Sequence, residues 1–383
     1  MDEGSDPQWA LCAVVTEDVL NRLADHGIGD GLTSGEIRRR FELPMLGAVD
    51  LGLVMTIVGV RFEMSSRHGD RLAATIRATG AVSFHGDTAM PEMPGLARVR
   101  GEVLVRPVVE LDEDGSFRAV LDLANSELVG VVLEGIDGSD ADSQTQEMMG
   151  QMLFAAVGGE LFGALASQLD SVGLELDPDQ GRHLSEMGVA PGAADVVVGD
   201  AVMTVGLRAV PGLDGVATAT PVDGRRIGVG VAAGALTSLV NRLVADAMGS
   251  PLPFECDVIA RESRVGTRIR NRRLVDLPYL PDLRPGLRST IRPELSHGRL
   301  HLRLREAWVE LPWVPAPVNR FNRMLGGAAA VTDLGITLPA RIALPARQGS
   351  EVMVDAEVVE LDVGRDGVQL VVELDVERPV DGE

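Results

Sequence analysis

VLNRLADHGI, Val19 to Ile28, returns about 220 residues later as LVNRLVADAM, Leu239 to Met248. The second copy sits in VAAGALTSLVNRLVADAMGS, where Leu236, Leu239, Val240, Leu243, Val244 and Ala247 recur at the i, i+3, i+4, i+7 spacing of one helix face. Gly249 and Pro251 then supply a stop. The first copy, TEDVLNRLADHGI, carries the same pattern through Leu20 and Leu23. A chain that spells one amphipathic helix twice is expected to repeat the unit around it, so the flanks decide the fold.

Both flanks change period from 3.6 to 2. Between Glu36 and Glu134, GEIRRRFELPM, LGLVMTIVGVRFEMSS, DRLAATIRATGAVSF and ARVRGEVLVRPVVEL read as strands separated by turn signals. In the last, Ala97, Val99, Gly101, Val103 and Val105 alternate with Arg98, Arg100, Glu102 and Arg106, which predicts one covered face and one wet face. Val54 to Val60 is apolar at both phases, which predicts cover on both faces there. EMMGQMLFAAVGGELFGALASQLDSVG then reads as a long helix over 143–172, and AADVVVGDAVMTVGLRAV and VATATPV read as further strands.

The second flank follows the same order. FECDVIARESRVGTRIRNRRLVDL, LRSTIRPELS and GRLHLRLREAWVEL read as strands, with a phase slip near Arg305 and Glu306 that a β-bulge would produce. PAPVNRFNRMLGGAAAVTDLG reads as a shorter helix, and EVMVDAEVVELDV with GVQLVVELDVE as a hairpin turning at Gly364 to Gly367. The fold class expected is α+β, in two tandem modules over 1–222 and 223–383. Each is a long, highly curved antiparallel sheet wrapped around amphipathic helices. A period this long is not that of a solenoid.

Composition excludes several functions. The net charge of -22 disfavours nucleic acid, whose phosphates reward basic surfaces, and leaves at most transient contact with a membrane surface. All 35 basic residues are arginine, so Schiff-base chemistry has no lysine. No apolar run reaches the roughly 20 residues of a membrane span. The opening MDEGSDPQWALCAVV is acidic where a leader would be basic, so the expected compartment is the cytoplasm; a mature form cut from a leader would be secreted or periplasmic. Cys12 and Cys256 have no metal-ligand spacing and make at most one bridge.

Reactive constellations are scarce. His297 and His301, four apart on a strand, stand about 13 Å apart at roughly 3.3 Å per residue, too far to share a metal. GIGDGLTSGE, Gly27 to Glu36, has the glycines of a phosphate loop without its lysine. The acidic turns at Gly115 and Gly138 lack the spacing of a calcium loop, and no GxSxG surrounds a serine. No catalytic residue, metal or cofactor is therefore expected. The arginine-rich stretch between Arg261 and Arg305 is expected to pair with carboxylates, the acidic C-terminal hairpin among them.

The order helix, long strands, helix, strands, with TEDVLNRLADHGI, GALTSLVNRLVADAMG and RSTIRPELSHGRLHLRLREAWVEL at corresponding places, resembles the tubular lipid-binding superfamily, typified by bactericidal/permeability-increasing protein and represented in bacteria. The resemblance implies binding or transfer of a lipid or other apolar small molecule between helix and curved sheet, without covalent chemistry. The groove residues it points to are Leu20, Leu23, Leu239 and Leu243 on the opening helices. On the second helix of each module they are Leu153, Phe154, Leu161 and Phe162, and Phe321, Met324 and Leu325. The chain lacks the basic tip of the secreted members, which speaks against lipopolysaccharide binding. The alternative is an interaction protein with closed grooves that acts through a protein partner.

Overall fold

The computed structural model describes residues 8–27, 32–33, 37–43, 47–86, 95–137, 173–176, 178–248, 254–261, 264–271, 286–296, 299–310, 332–334, 341–345 and 351–377. Strand β1 (Trp9–Thr16) runs straight into helix α1 (Glu17–Gly27). Next come β2 (Leu32–Thr33), β3 (Ile37–Leu43), β4 (Gly47–Glu63), β5 (Leu72–Gly86), β6 (Gly95–Leu111), β7 (Phe117–Asp137) and β8 (Gly173–Leu176). Helix α2 (Pro178–Glu186) leads to β9 (Gly192–Ala193), β10 (Asp195–Val198) and β11 (Val202–Arg208). Strand β12 (Arg226–Ala232) again runs straight into a helix, α3 (Ala233–Met248). The remainder is β13 (Phe254–Arg261), β14 (Arg264–Asn271), β15 (Gly286–Ser296), β16 (Arg299–Glu310), β17 (Thr332–Leu334), β18 (Arg341–Pro345), β19 (Glu351–Val363) and β20 (Gly367–Glu377).

The expected α+β class becomes mostly β among the described residues, with a curled half-barrel sheet. Three antiparallel sheets form: β2-β4-β5-β6-β7-β8, with β3 and β9 beside it; β13-β14-β15-β16-β17; and a seven-stranded sheet, β10-β11-β1-β12-β20-β19-β18. The last joins strands from both sides of residue 222, and the expected architecture did not contain it. At its centre β1 pairs β12 antiparallel, Cys12 opposite Gly230 and Val14 opposite Gly228. Outward from β1 the sheet continues with the hairpin β11-β10, and outward from β12 with the hairpin β20-β19.

Alternation decides which face of each strand is buried. On β1, Ala10, Cys12, Val14 and Thr16 are buried and their neighbours half-buried. On β6, Ala97, Val99, Gly101, Val103 and Val105 are buried while Arg98, Arg100, Glu102 and Arg106 are exposed, as their spacing requires. Cover on both faces near Val54 to Val60 is incomplete, with Val54 and Thr56 half-buried. Leu53, Met55 and Ile57 are fully buried, but Val58 is 55% exposed. A register shift between Ile57 and Gly59 sets Val58 aside as a bulge, and Val60 and Phe62 rejoin the buried face beyond it. Three further shifts interrupt β6–β7, bending this sheet. The phase slip in β16 is likewise a bulge, with Leu304 opposite Ile291 and Glu306 opposite Thr290.

Other expectations change. VATATPV, 216–222, is not a strand. It lies flat across β12, where a Cβ on Gly230 would meet the Thr218 carbonyl at 2.0 Å and one on Gly228 the Thr220 carbonyl at 2.3 Å. Glycine at both places lets main chain stack on main chain. The segment is held by the Ala217 N–H donating to the Trp9 carbonyl at 2.8 Å and by Gln369, whose amide bonds both Thr218 and Thr220. Ala217 completes a core of Ala10, Cys12, Leu111, Val189, Ala232 and Ala235. The end of PAPVNRFNRMLGGAAAVTDLG is strand β17 rather than helix. The long helix expected over 143–172 lies outside the described residues. Helix α2 was not expected, and Cys12 is a free, buried cysteine.

Candidate functional site

Helix α1 is fastened to the curled sheet by its polar side chains. Strands β2 and β3 pair with β4 only as far as Ile57, so among the described residues the same edge beyond the Val58 bulge has no strand beside it. Asn21 takes that place. Its Nδ2 donates to the Phe62 carbonyl at 3.0 Å, and its Oδ1 accepts from the Phe62 N–H at 2.7 Å. One turn earlier, Glu17 Oε2 accepts from the Met64 N–H at 2.8 Å. Residues 62 and 64 present their main-chain groups on one edge, and two side chains four apart on a helix match that repeat.

The helix start is fixed independently. The Thr16 hydroxyl accepts from the Val19 N–H at 3.2 Å as an N-cap and donates to the Gly224 carbonyl, while Glu17 and Asp18 lie in the first turn where the helix dipole favours carboxylates. The Glu17 N–H donates to the Ala201 carbonyl at 2.9 Å, tying α1 to the β10–β11 turn.

This attachment inverts the usual order of a core helix. Val19, Asn21 and Ala24 are buried, whereas the larger Leu20 and Leu23 are only half-buried. Leu239 on α3 is also half-buried, and Leu243 lies one turn further along that helix. Leu153, Phe154, Leu161, Phe162, Phe321, Met324 and Leu325 lie outside the described residues. Asn21 and Glu17 were not singled out from sequence. Their one signal was the shared NRL at Asn21 and Asn241, which marks the residue without naming its partner.

The wet face of the same sheet carries charged side chains. A cavity of about 460 Å³ opens there, lined by Arg61, Glu63, Thr75, Arg77, Arg100, Glu102, Gly130 and Val132. Arg61 pairs with Asp25 of α1 at 3.1 Å, and Arg100 stands 3.7 Å from Glu134. A second cavity of about 90 Å³ lies against 364–369.

Burial pushes the Cys12 thiol up to about 11, against a smaller opposing effect of the Ala219 main chain, so it is a protonated core residue at neutral pH. The Arg208 guanidinium, bonding Asp195 through Nε at 3.1 Å, holds that carboxyl below its usual range, and the Trp9 indole adds a bond at 3.1 Å. Among the described residues no group of three His, Cys, Asp or Glu could hold a metal. No helix there is long and apolar enough to cross a membrane. The described ion pairs of the C-terminal hairpin go to Arg225 and Arg226, and the arginine side chains of the Arg261 to Arg305 stretch lie outside those described.

No protein-family model matches the chain, and no curated protein matches it. A crystal structure of lipopolysaccharide binding protein is similar over 97% of this chain and 100% of its own, at 13% identity and a TM-score of 0.39. A likeness of that degree carries no argument about the ligand of this chain.

Proposed function

We propose that the chain binds a lipid or similar apolar molecule without catalysing a reaction, in apolar grooves between each opening helix and the sheet that follows it. The observation that carries this reading is the inverted burial of α1. Its polar Glu17 and Asn21 do the fastening, so Leu20 and Leu23 are left half-buried beside an apolar sheet face. Each CH₂ moved from water onto such a surface contributes about 0.8 kcal/mol, so even a short acyl chain repays a pair of available leucines.

The second groove belongs to the same reading. The recurrence of strand into helix at Thr16–Glu17 and Ala232–Ala233, and the matching order of hairpins on either side of the β1–β12 pair, support two related units with Leu239 and Leu243 in the places of Leu20 and Leu23. Leu153, Phe154, Leu161, Phe162, Phe321, Met324 and Leu325 are proposed as the opposing apolar walls.

The test is capture of a fluorescent fatty acid by wild type and by Leu20→Asp and Leu23→Asp, with folding checked by circular dichroism. Capture that falls at least fivefold in folded variants supports the first groove; unchanged capture in both refutes it.

One observation favours the alternative, an interaction protein with closed grooves. Leu53, Met55 and Ile57 are fully buried, and the larger described cavity lies on the charged face of the sheet, away from them. A wild-type protein that captures no fatty acid while retaining a stable protein partner would establish that reading.

A further inference from the structure

The geometry points to a second site on the opposite, charged face of the curled sheet, one that takes a zwitterion carrying a phosphate and an ammonium, of which phosphoethanolamine is the simplest. Arg77 on β5 stands directly opposite Arg100 on β6. Like charges facing each other across a ladder cost stability unless something neutralises them. Among the described residues Arg77 has no ion pair, and Arg100 has only the long contact with Glu134. Two forked guanidiniums side by side match the oxygens of a phosphate, each able to donate two bonds.

The next row along the same face holds Arg61, Thr75 and Glu102, and because Arg61 is paired with Asp25 at 3.1 Å, Glu102 is its uncompensated charge among the described residues. Glu102 lies two residues beyond Arg100, about 6.6 Å at roughly 3.3 Å per residue, with Thr75 directly opposite it. Glu63 lines the cavity beside them. A ligand with its phosphate at the arginine row presents an ammonium toward Glu102 and, one row further on, Glu63. Gly130, opposite Glu102 on β7, leaves the floor open, since a Cβ there would touch nothing within 4 Å. The resulting volume of about 460 Å³ falls within the range of small-molecule sites, roughly 300–1,000 Å³. Charge selects between ligands as well. A chain of net charge -22 repels inorganic phosphate more than phosphoethanolamine, whose ammonium offsets one phosphate charge, and does not oppose the net-neutral diester headgroup of phosphatidylethanolamine.

The phosphoethanolamine group exists free and as a lipid headgroup. Free phosphoethanolamine is titrated into the full chain calorimetrically, and co-sedimentation is measured with vesicles of phosphatidylethanolamine and, separately, of phosphatidylglycerol in a galactosyl diacylglycerol background, which carries neither phosphate nor ammonium. Binding of the free compound, or of phosphatidylethanolamine vesicles above the phosphatidylglycerol ones, supports the site and names its source. Arg77→Gln and Arg100→Gln should each weaken that binding at least fivefold. Gly130→Leu, which fills the floor in open space, should abolish it. The proposal is overturned if neither form binds, if only phosphatidylglycerol vesicles bind, or if the three substitutions leave binding unchanged. Fatty-acid capture measured on the same samples reads the apolar groove independently.

Discussion

Asn21 holds both main-chain groups of Phe62, donating to its carbonyl at 3.0 Å and accepting from its N–H at 2.7 Å, across 41 residues of sequence. A side chain on a helix thereby does for β4 what a neighbouring strand would do. The bond pair is buried, so neither group of Phe62 has water to fall back on.

Replacing Asn21 by Ala leaves a buried donor and acceptor unmet and should cost about 2–4 kcal/mol, read from urea unfolding. If the two opening helices belong to related units, Asn241→Ala should cost a comparable amount. A loss below about 0.5 kcal/mol at Asn241 would separate the two helices in role.

Two backbone positions should respond in opposite directions. Ala201 adopts φ 61 in the β10–β11 turn, a left-handed conformation costing an L-residue about 1–2 kcal/mol. Ala201→Gly should therefore raise stability by about 0.5–1 kcal/mol after glycine's unfolded-state entropy is subtracted. Gly230→Ala should lower it by more than about 2 kcal/mol, because the new methyl group meets the Thr218 carbonyl of the crossing segment. Both are measured by the urea midpoint at constant m-value.

Acid should act through Asp195 and Asp200. Both carboxyls are held below the usual 3.8, Asp195 chiefly by the Arg208 hydrogen bond and Asp200 chiefly by the Ser66 N–H. A depressed folded pKa contributes stability that is fully present above the unfolded value and is lost as pH falls through the folded one. Stability should thus show no dependence on these groups between pH 5 and 8, and fall below about pH 4. In Asp195→Asn the acid limb of the stability curve should be shallower than in wild type, and a limb of unchanged steepness would contradict the assignment.

How much of this was legible in the sequence depends on the range of the interaction involved. The wet and dry faces of β6 were readable because Ala97 to Arg106 alternate without interruption, and the β16 bulge because Arg305 breaks such a run. Strands β1 and β12 were not readable. WALCAVVT passes into EDVLNRL, and RIGVGVA into AGALTSL, with no loop between strand and helix to mark where the strand ends. Missing them hid the central sheet, which depends on pairing Cys12 with Gly230 across more than half the chain. VATATPV has the period of a strand, and only the glycines beneath it show that it packs by its face. In the candidate site, the leucines of α1 were visible as a stripe. The roles of Glu17 and Asn21 were not, because an open edge on β4 becomes apparent only when β2 and β3 are seen to end.

The central claim, an apolar ligand held against the opening helices, is tested most directly by mass spectrometry of the organic extract of protein purified without detergent, beside the native mass of the intact chain. The account predicts lipid at one or two molecules per chain, with a matching increment in native mass that diminishes in Leu20→Asp. An empty extract, an unladen native mass and no uptake from offered lipids would contradict it.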